Sequence, residues 1–202
     1  MKISENVDLI KAGFVNCYAL RQGSQRILVD AGTKSAGKKI ISYYRERGEK
    51  PDLVLITHYH PDHIGGLHMI YEEFKAEIYA PEIEIPVIQG KEKIEATKSM
   101  LSKLVSGVSR IDAVEAVRPA ESLELPFIEV IPTPGHTPGS VSYLFKDDRV
   151  IFIGDAFSVS SGNPKINRAF SLDIPKAEAS MNYILSKKGM TILPGHGEPL
   201  RI

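Results

Sequence analysis

Directly after the apolar stretch LVLIT (53–57), the run His58-Tyr59-His60-Pro61-Asp62-His63 places four potential metal ligands on one short loop. Three of the chain's six histidines lie in it. Imidazole and carboxylate donors this dense, on a stiff turn, are what a zinc or iron pair needs, and a solvated loop seldom gathers them. In extended backbone His58 and His60 project to the same side and can share one metal. Pro61 favours that state, because its ring disfavours the α conformation for His60 and fixes its own φ. The chain is then free to turn and aim Asp62 and His63 at a second position a few ångströms away. Any fold for this chain must deliver more donors to that loop.

Three segments can do so. His136 in TPGHTPGS follows IEVI, Asp155 in GDAF follows VIFI, and His196 in LPGHG follows MTIL. Each donor stands just past an apolar run, flanked by Gly or Pro. A lone histidine in a Pro-Gly turn is ordinarily structural, but the repeated context points to strand ends gathered along one edge of a sheet. The seven donors, five His and two Asp, suffice for two metals that retain open positions. The sixth histidine, His68, lies in a helical pattern five residues past His63 and reads as a helix-face residue.

Strands are predicted at about 14–20, 26–30, 53–57, 77–80, 127–131, 141–145, 150–153 and 190–193, each bounded by Gly, Pro, Asp or Asn. Helices are predicted over 35–47, 91–105 and 176–187, and another from Ile64, Leu67, Tyr71 and Phe74 behind the metal loop. Gly65-Gly66 would let the backbone pass close to the site. Strands and helices mix in both halves, so the class is α/β or α+β. At 202 residues the chain would bury roughly 70% of its unfolded surface, enough for a single domain over 1–202.

Lys plus Arg (25) balance Asp plus Glu (25), so no positive field draws the chain to nucleic acid or anionic lipid. Cys17, the single cysteine, sits in FVNCYAL as a core thiol and suits a reducing compartment. The N-terminal segment has no signal-peptide pattern, and LVLI and VIFI are too short to span a bilayer. A cytoplasmic protein without membrane or nucleic-acid partners is expected.

These residues resemble the metallo-β-lactamase fold superfamily, whose THxHxDH signature stands here as Thr57 through His63. Its further motifs follow in order: Asp30 in ILVDAG, His136, Asp155 and His196. The resemblance implies a four-layer αβ/βα sandwich, with two mixed sheets, outer helices and a dinuclear site at one edge. It assigns His58, His60 and His136 to one metal, Asp62, His63 and His196 to the other, and Asp155 as the bridge. Asp30 would support a ligand from behind. A histidine at position 63 points away from class B1 lactamases and toward the glyoxalase II, lactonase and related branches. A full match to glyoxalase II is not expected, since its helical domain follows the last histidine and His196 stands six residues from the last position given. The tyrosine that lactonases place three residues past the bridging aspartate is Ser158 here.

The implied activity is hydrolysis of a small-molecule ester, thioester, lactone or amide by a hydroxide bridging two divalent ions. Zinc comes first, with iron or manganese as alternatives. Zinc lowers the pKa of bound water from 15.7 to about 7. Asp62, the catalytic candidate, would orient that hydroxide. Specificity would come from 156–172 and 81–92, with Phe157, Asn163, Lys165, Arg168 and Phe170 offering apolar contact or a partner for a carboxylate. Tyr59 either faces the substrate or packs against its loop. The rival reading is a mononuclear iron oxygenase of persulfide dioxygenase type, using His58, His136 and Asp155.

Overall fold

The computed structural model describes residues 1–99 and 111–202, and the element counts below refer to these. The first half builds a six-stranded mixed sheet. Strands β1 (Val7–Ala12), β2 (Val15–Gln22) and β3 (Gln25–Val29) form an antiparallel meander. After helix α1 (Lys34–Arg45), β4 (Leu53–Leu55) adds parallel to β3. Helices α2 (Pro61–Ile64) and α3 (Leu67–Phe74) then lead to β5 (Glu77–Ala80), and α4 (Ile85–Ile88) lies ahead of β6 (Val117–Pro119), both strands parallel to β4.

The second half lays down β7 (Ile128–Pro132), β8 (Val141–Phe145) and β9 (Val150–Gly154), antiparallel in turn. A small hairpin, β10 (Ser158–Ser160) with β11 (Asn163–Lys165), precedes helix α5 (Ile174–Ser186). Strand β12 (Thr191–Pro194) joins β9 in parallel and pairs with β13 (Leu200–Arg201), giving the sheet order β13-β12-β9-β8-β7.

Period-two alternation sorts the apolar residues into layers. Ile27, Val29, Leu53 and Leu55 point between the sheets and meet Val141, Tyr143, Phe145, Val150 and Phe152. Leu28, Val54 and Ile56, one residue out of phase, pack against Ile40 and Tyr44 of α1, Ile70 of α3 and Ile88 of α4. Ile151, Ile153 and Ile192 turn away from the first sheet toward Ala177 and Ile184 of α5. These three interfaces make four layers, the predicted αβ/βα sandwich. Phe145, Phe152 and Tyr143 are fully buried between the sheets and contribute about 2 kcal/mol each. Cys17 is core, as expected.

Caps set the helix starts. Thr33 accepts from the Ala36 amide at 3.2 Å to open α1, and Asp173 accepts from the Lys176 amide at 3.0 Å to open α5. Helix α5 begins earlier than predicted because Pro175 suits a first turn that lacks amide partners anyway. Of the helix expected over 91–105, residues 91–99 are not helical and the rest lies outside the described residues. A Cβ on Gly65 would stand 2.5 Å from the Pro61 carbonyl oxygen and one on Gly66 2.4 Å from the Ala31 carbonyl oxygen, so the pair lets the end of the donor loop and the start of α3 pack closely on the β3–α1 connection. Among the described residues, no helix is long and apolar enough to cross a membrane.

Candidate metal centre

Parallel pairing aligns the carboxyl ends of β3 and β4, and separately those of β9 and β12, while β7 runs in the same direction as β9. Asp30, the 58–63 loop, His136, Asp155 and His196 all emerge from these ends. The two sheets are tied there as well. The Asn16 side chain donates to the Pro194 carbonyl at 3.0 Å, Tyr18 Oη to the same oxygen at 2.7 Å, and the Val141 amide to the Thr57 carbonyl at 3.0 Å.

At this edge the structure brings together all seven sequence-predicted donors, in three overlapping groups: His58 with His60 and His136; His58 with His63 and Asp155; and Asp62 with His63 and His196. Within each group the ligand atoms lie within 4.8 Å of one another. His60 keeps the extended backbone that Pro61 predicts (φ −63°, ψ 147°), and Pro61 opens α2, whose single turn carries Asp62 and His63. His58 Nε2 stands 3.1 Å from His60 Nδ1, which stands 2.7 Å from His136 Nε2. The Asp155 carboxylate lies between the groups. Its Oδ2 is 3.5 Å from His136 Nε2 and 3.4 Å from His196 Nε2, and its Oδ1 is 3.3 Å from His63 Nε2.

Several imidazoles are held by their second nitrogen. Thr57 Oγ1 donates to the Asp30 carboxylate (2.9 Å), so its oxygen is left to accept from His58 Nδ1 (3.1 Å), which leaves the His58 Nε2 lone pair toward the cluster. Asp30 also meets His63 Nδ1 at 2.8 Å, the supporting role that the resemblance implies. It sits at φ 59°, a left-handed conformation that aspartate tolerates better than most residues. His196 Nδ1 meets the Phe14 carbonyl at 3.0 Å, and the Phe14 ring stacks on the imidazole. Neither the Phe14 nor the Thr57 contact was foreseen. His68 bonds the Ala113 carbonyl and joins none of the groups, as expected.

The electrostatics divide the cluster. Burial, reinforced by neighbouring imidazoles, holds His58 well below the ordinary imidazole range and His60 down at about 3, and burial lowers His136 too. For His63 burial works against charge, but Asp30 and Asp155 outweigh it and raise its pKa well above the usual value. Burial likewise opposes charge on His196, but the Asp155 and Asp62 carboxylates lift it to about 10. Asp155 is held well below the carboxylate range by His63 and His196, against its burial.

The donor set fits metal ions. Three imidazole nitrogens face one another inside the protein where they have at most a proton to share, and His63 Nε2 and Asp155 Oδ1 are buried with no hydrogen-bond partner among the described residues. Oxygen and nitrogen donors converging in this way are those that divalent zinc, iron or manganese accept.

The metallo-beta-lactamase superfamily model matches residues 10–196. The chain belongs to that superfamily. It is a metallo-beta-lactamase superfamily hydrolase, with donor groups that could hold a metal ion. It is 32% identical over 188 residues to a probable metallo-hydrolase of Bacillus subtilis, covering 92% of this chain and 82% of that one. It is also 32% identical over 177 residues to a hydroxyacylglutathione hydrolase of Mesorhizobium japonicum, covering 87% of this chain and 58% of the enzyme. A superfamily structure solved in a di-iron-bound form superposes with a TM-score of 0.77 at 25% identity, covering 96% of this chain and 94% of that one.

Beside the centre lies an open cleft of about 800 Å³, whose wall includes Asp155, Ser158, Lys165, Asn167, Arg168 and His196. Two of the candidates near the site take the packing alternative. Phe157 is fully buried in the core beneath α5, and Tyr59 is 4% exposed among the residues that pack α1, α3 and α4 on the first sheet. For Tyr59 this follows from alternation: extended backbone that aims His58 and His60 at the site aims Tyr59 away from it. Arg168 is paired with Glu178 at 2.6 Å, which leaves Lys165 as the cleft cation without an ion pair among the described residues. Asn163 is exposed and bonds the Ser161 carbonyl.

Proposed function

We propose that the chain is a dinuclear metallohydrolase that cleaves a small-molecule thioester or related ester, lactone or amide. His58, His60 and His136 hold one divalent ion and Asp62, His63 and His196 a second, with Asp155 shared between them. The observation that carries this reading is that the three donor groups overlap through His58 and His63 while the Asp155 carboxylate faces His63, His136 and His196, since a single-ion site needs only one of the groups. Two cations, zinc first and iron or manganese as alternatives, supply an acidified water at neutral pH and polarise the acyl carbonyl.

The chain's own residues supply orientation and shape. Asp62 is a quarter exposed and 3.1 Å from His196, which lines the cleft, and its second role is to orient the attacking water. Buried His58 and His136 wall off bulk water from the opposite side. The cleft admits an acyl group along Ser158 and Asn167, with Lys165 positioned for an anionic substituent. Water adds to the acyl carbon, the bond to sulfur, oxygen or nitrogen breaks, and the leaving atom takes up the proton. The similarity to a hydroxyacylglutathione hydrolase supports a thioester as the first class to try.

The test is elemental analysis of protein purified without added metal, alongside a panel of thioesters, lactones, phosphodiesters and β-lactams. About two divalent ions per chain and thioester hydrolysis are expected. A single iron per chain, with oxygen consumption on glutathione persulfide and no hydrolysis, would overturn the reading in favour of the mononuclear oxygenase.

A further inference from the structure

Glu84 ends a short 3-10 turn (Glu82–Glu84) after β5 and is 0% exposed, a charged side chain wholly inside the protein. Among the described residues no cation answers it. Its carboxylate is satisfied instead by three hydrogen bonds, from two loops distant in sequence. Oε2 accepts from the Tyr59 amide at 2.6 Å, and Oε1 accepts from Thr137 Oγ1 at 2.5 Å and from the Gly139 amide at 2.9 Å. Tyr59 stands between His58 and His60, and Thr137 directly follows His136. The Thr137 hydroxyl is itself paired with Ser140 Oγ at 2.6 Å, which accepts from the Thr137 amide and closes the PGHTPGS turn on itself.

The packing leaves little play. A Cβ on Gly139 would stand 2.5 Å from Glu84 Cγ and 2.8 Å from its Oε1, so a glycine is required for the backbone to reach the carboxylate. Burying a carboxylate is costly unless every acceptor position is used, and burial pushes Glu84 up to about 7 against its three donors. Such a group is held at a cost, and its bonds go to the two segments that carry His58, His60 and His136.

We propose that Glu84 is the positioning residue of the three-histidine half of the centre: it ties the His58–His60 segment to the His136 turn and sets the spacing of their imidazoles. This rests on the metal-centre reading given above. Glu84 touches neither substrate nor the donor atoms, and acts through the backbone of Tyr59, Thr137 and Gly139. The other half, with Asp62, His63 and His196, has its own supports in Asp30 and the Phe14 carbonyl and does not depend on Glu84.

The test is a titration of metal-free protein with Co²⁺, read by calorimetry and by the visible absorption of the bound ion, comparing wild type with Glu84→Gln. Glutamine keeps the shape but sets an amide NH₂ against a backbone N–H. The expected result is that one Co²⁺ equivalent weakens by about 10- to 100-fold with an altered spectrum, while the other stays near its wild-type affinity. Thr137→Val, which removes one donor and no backbone bond, should weaken the same equivalent by a smaller factor, and Thr137→Ser should restore it; this pair decides if Glu84→Gln does not fold. Equal weakening of both equivalents in Glu84→Gln, or of neither, overturns the proposal while the metal reading stands. A wild-type chain that takes up no Co²⁺ overturns the metal reading, and the positioning role with it.

Discussion

The two halves of the centre are built from the same kinds of residue and behave in opposite ways. His58 and His136 are enclosed, and burial keeps them and His60 toward the neutral state. Asp62 and His196 are each a quarter exposed, and carboxylates dominate their surroundings, with His63 and His196 held toward the charged state by Asp30, Asp62 and Asp155. Enclosure gives a fixed set of neutral donors, while in the open half His196 lines the cleft beside the Asp155 carboxylate. A single charged group separates the two. Asp155 is 10% exposed and faces donors from both.

That contrast can be broken at its shared member. Asp155→Ala should reduce metal content and hydrolysis together, the latter by about a thousandfold or more, equal to about 4 kcal/mol on the barrier. Metal analysis and kcat/KM on the same sample check it, and retention of both would remove Asp155 from the centre. A smaller effect is expected from Asp30→Asn, which weakens the hold on His63 Nδ1 without removing a donor of the cluster. Metal affinity should fall by about 10- to 100-fold, in the open half first, and a titration showing the loss in the three-histidine half would reverse the assignment of supports. The mildest change is Lys165→Ala in the cleft. For an anionic thioester KM should rise by about tenfold, close to 1.4 kcal/mol, with kcat and metal content unchanged; equal loss for a neutral substrate would show that the lysine is not reading charge.

What the amino-acid sequence reveals of this centre follows from how local each signal is. His136, Asp155 and His196 were visible because each stands immediately past an apolar run with Gly or Pro beside it, a pattern confined to a few residues. Glu84 was not. In PEIEIP it looks like the polar member of an alternating segment, and the groups that define it lie 25 and 53 residues away, at Tyr59 and Thr137. The same distinction runs through the fold. Central strands such as β4, β8 and β9 read directly from continuous apolar runs buried on both faces. The edge strands β1, β6 and β13 did not, since Asp8 and Lys11 interrupt VDLIKA without a regular period and VRP and LR are too short to show one. The helix read over 91–105 came from spaced apolar residues, and spacing without packing left 91–99 irregular.

The ties between β2 and the end of β12 also bear on the order in which the molecule comes together. Asn16 and Pro194 are 178 residues apart, so the bond between them closes a loop of nearly the whole chain. Contacts of such separation form late, because the entropy of closing the loop has to be met by structure already made on both sides. The cluster draws its donors from those same strand ends. The order expected from this is docking of two sheets already formed, so that a metal ion would act as a clasp on a folded protein and not as the seed from which it folds.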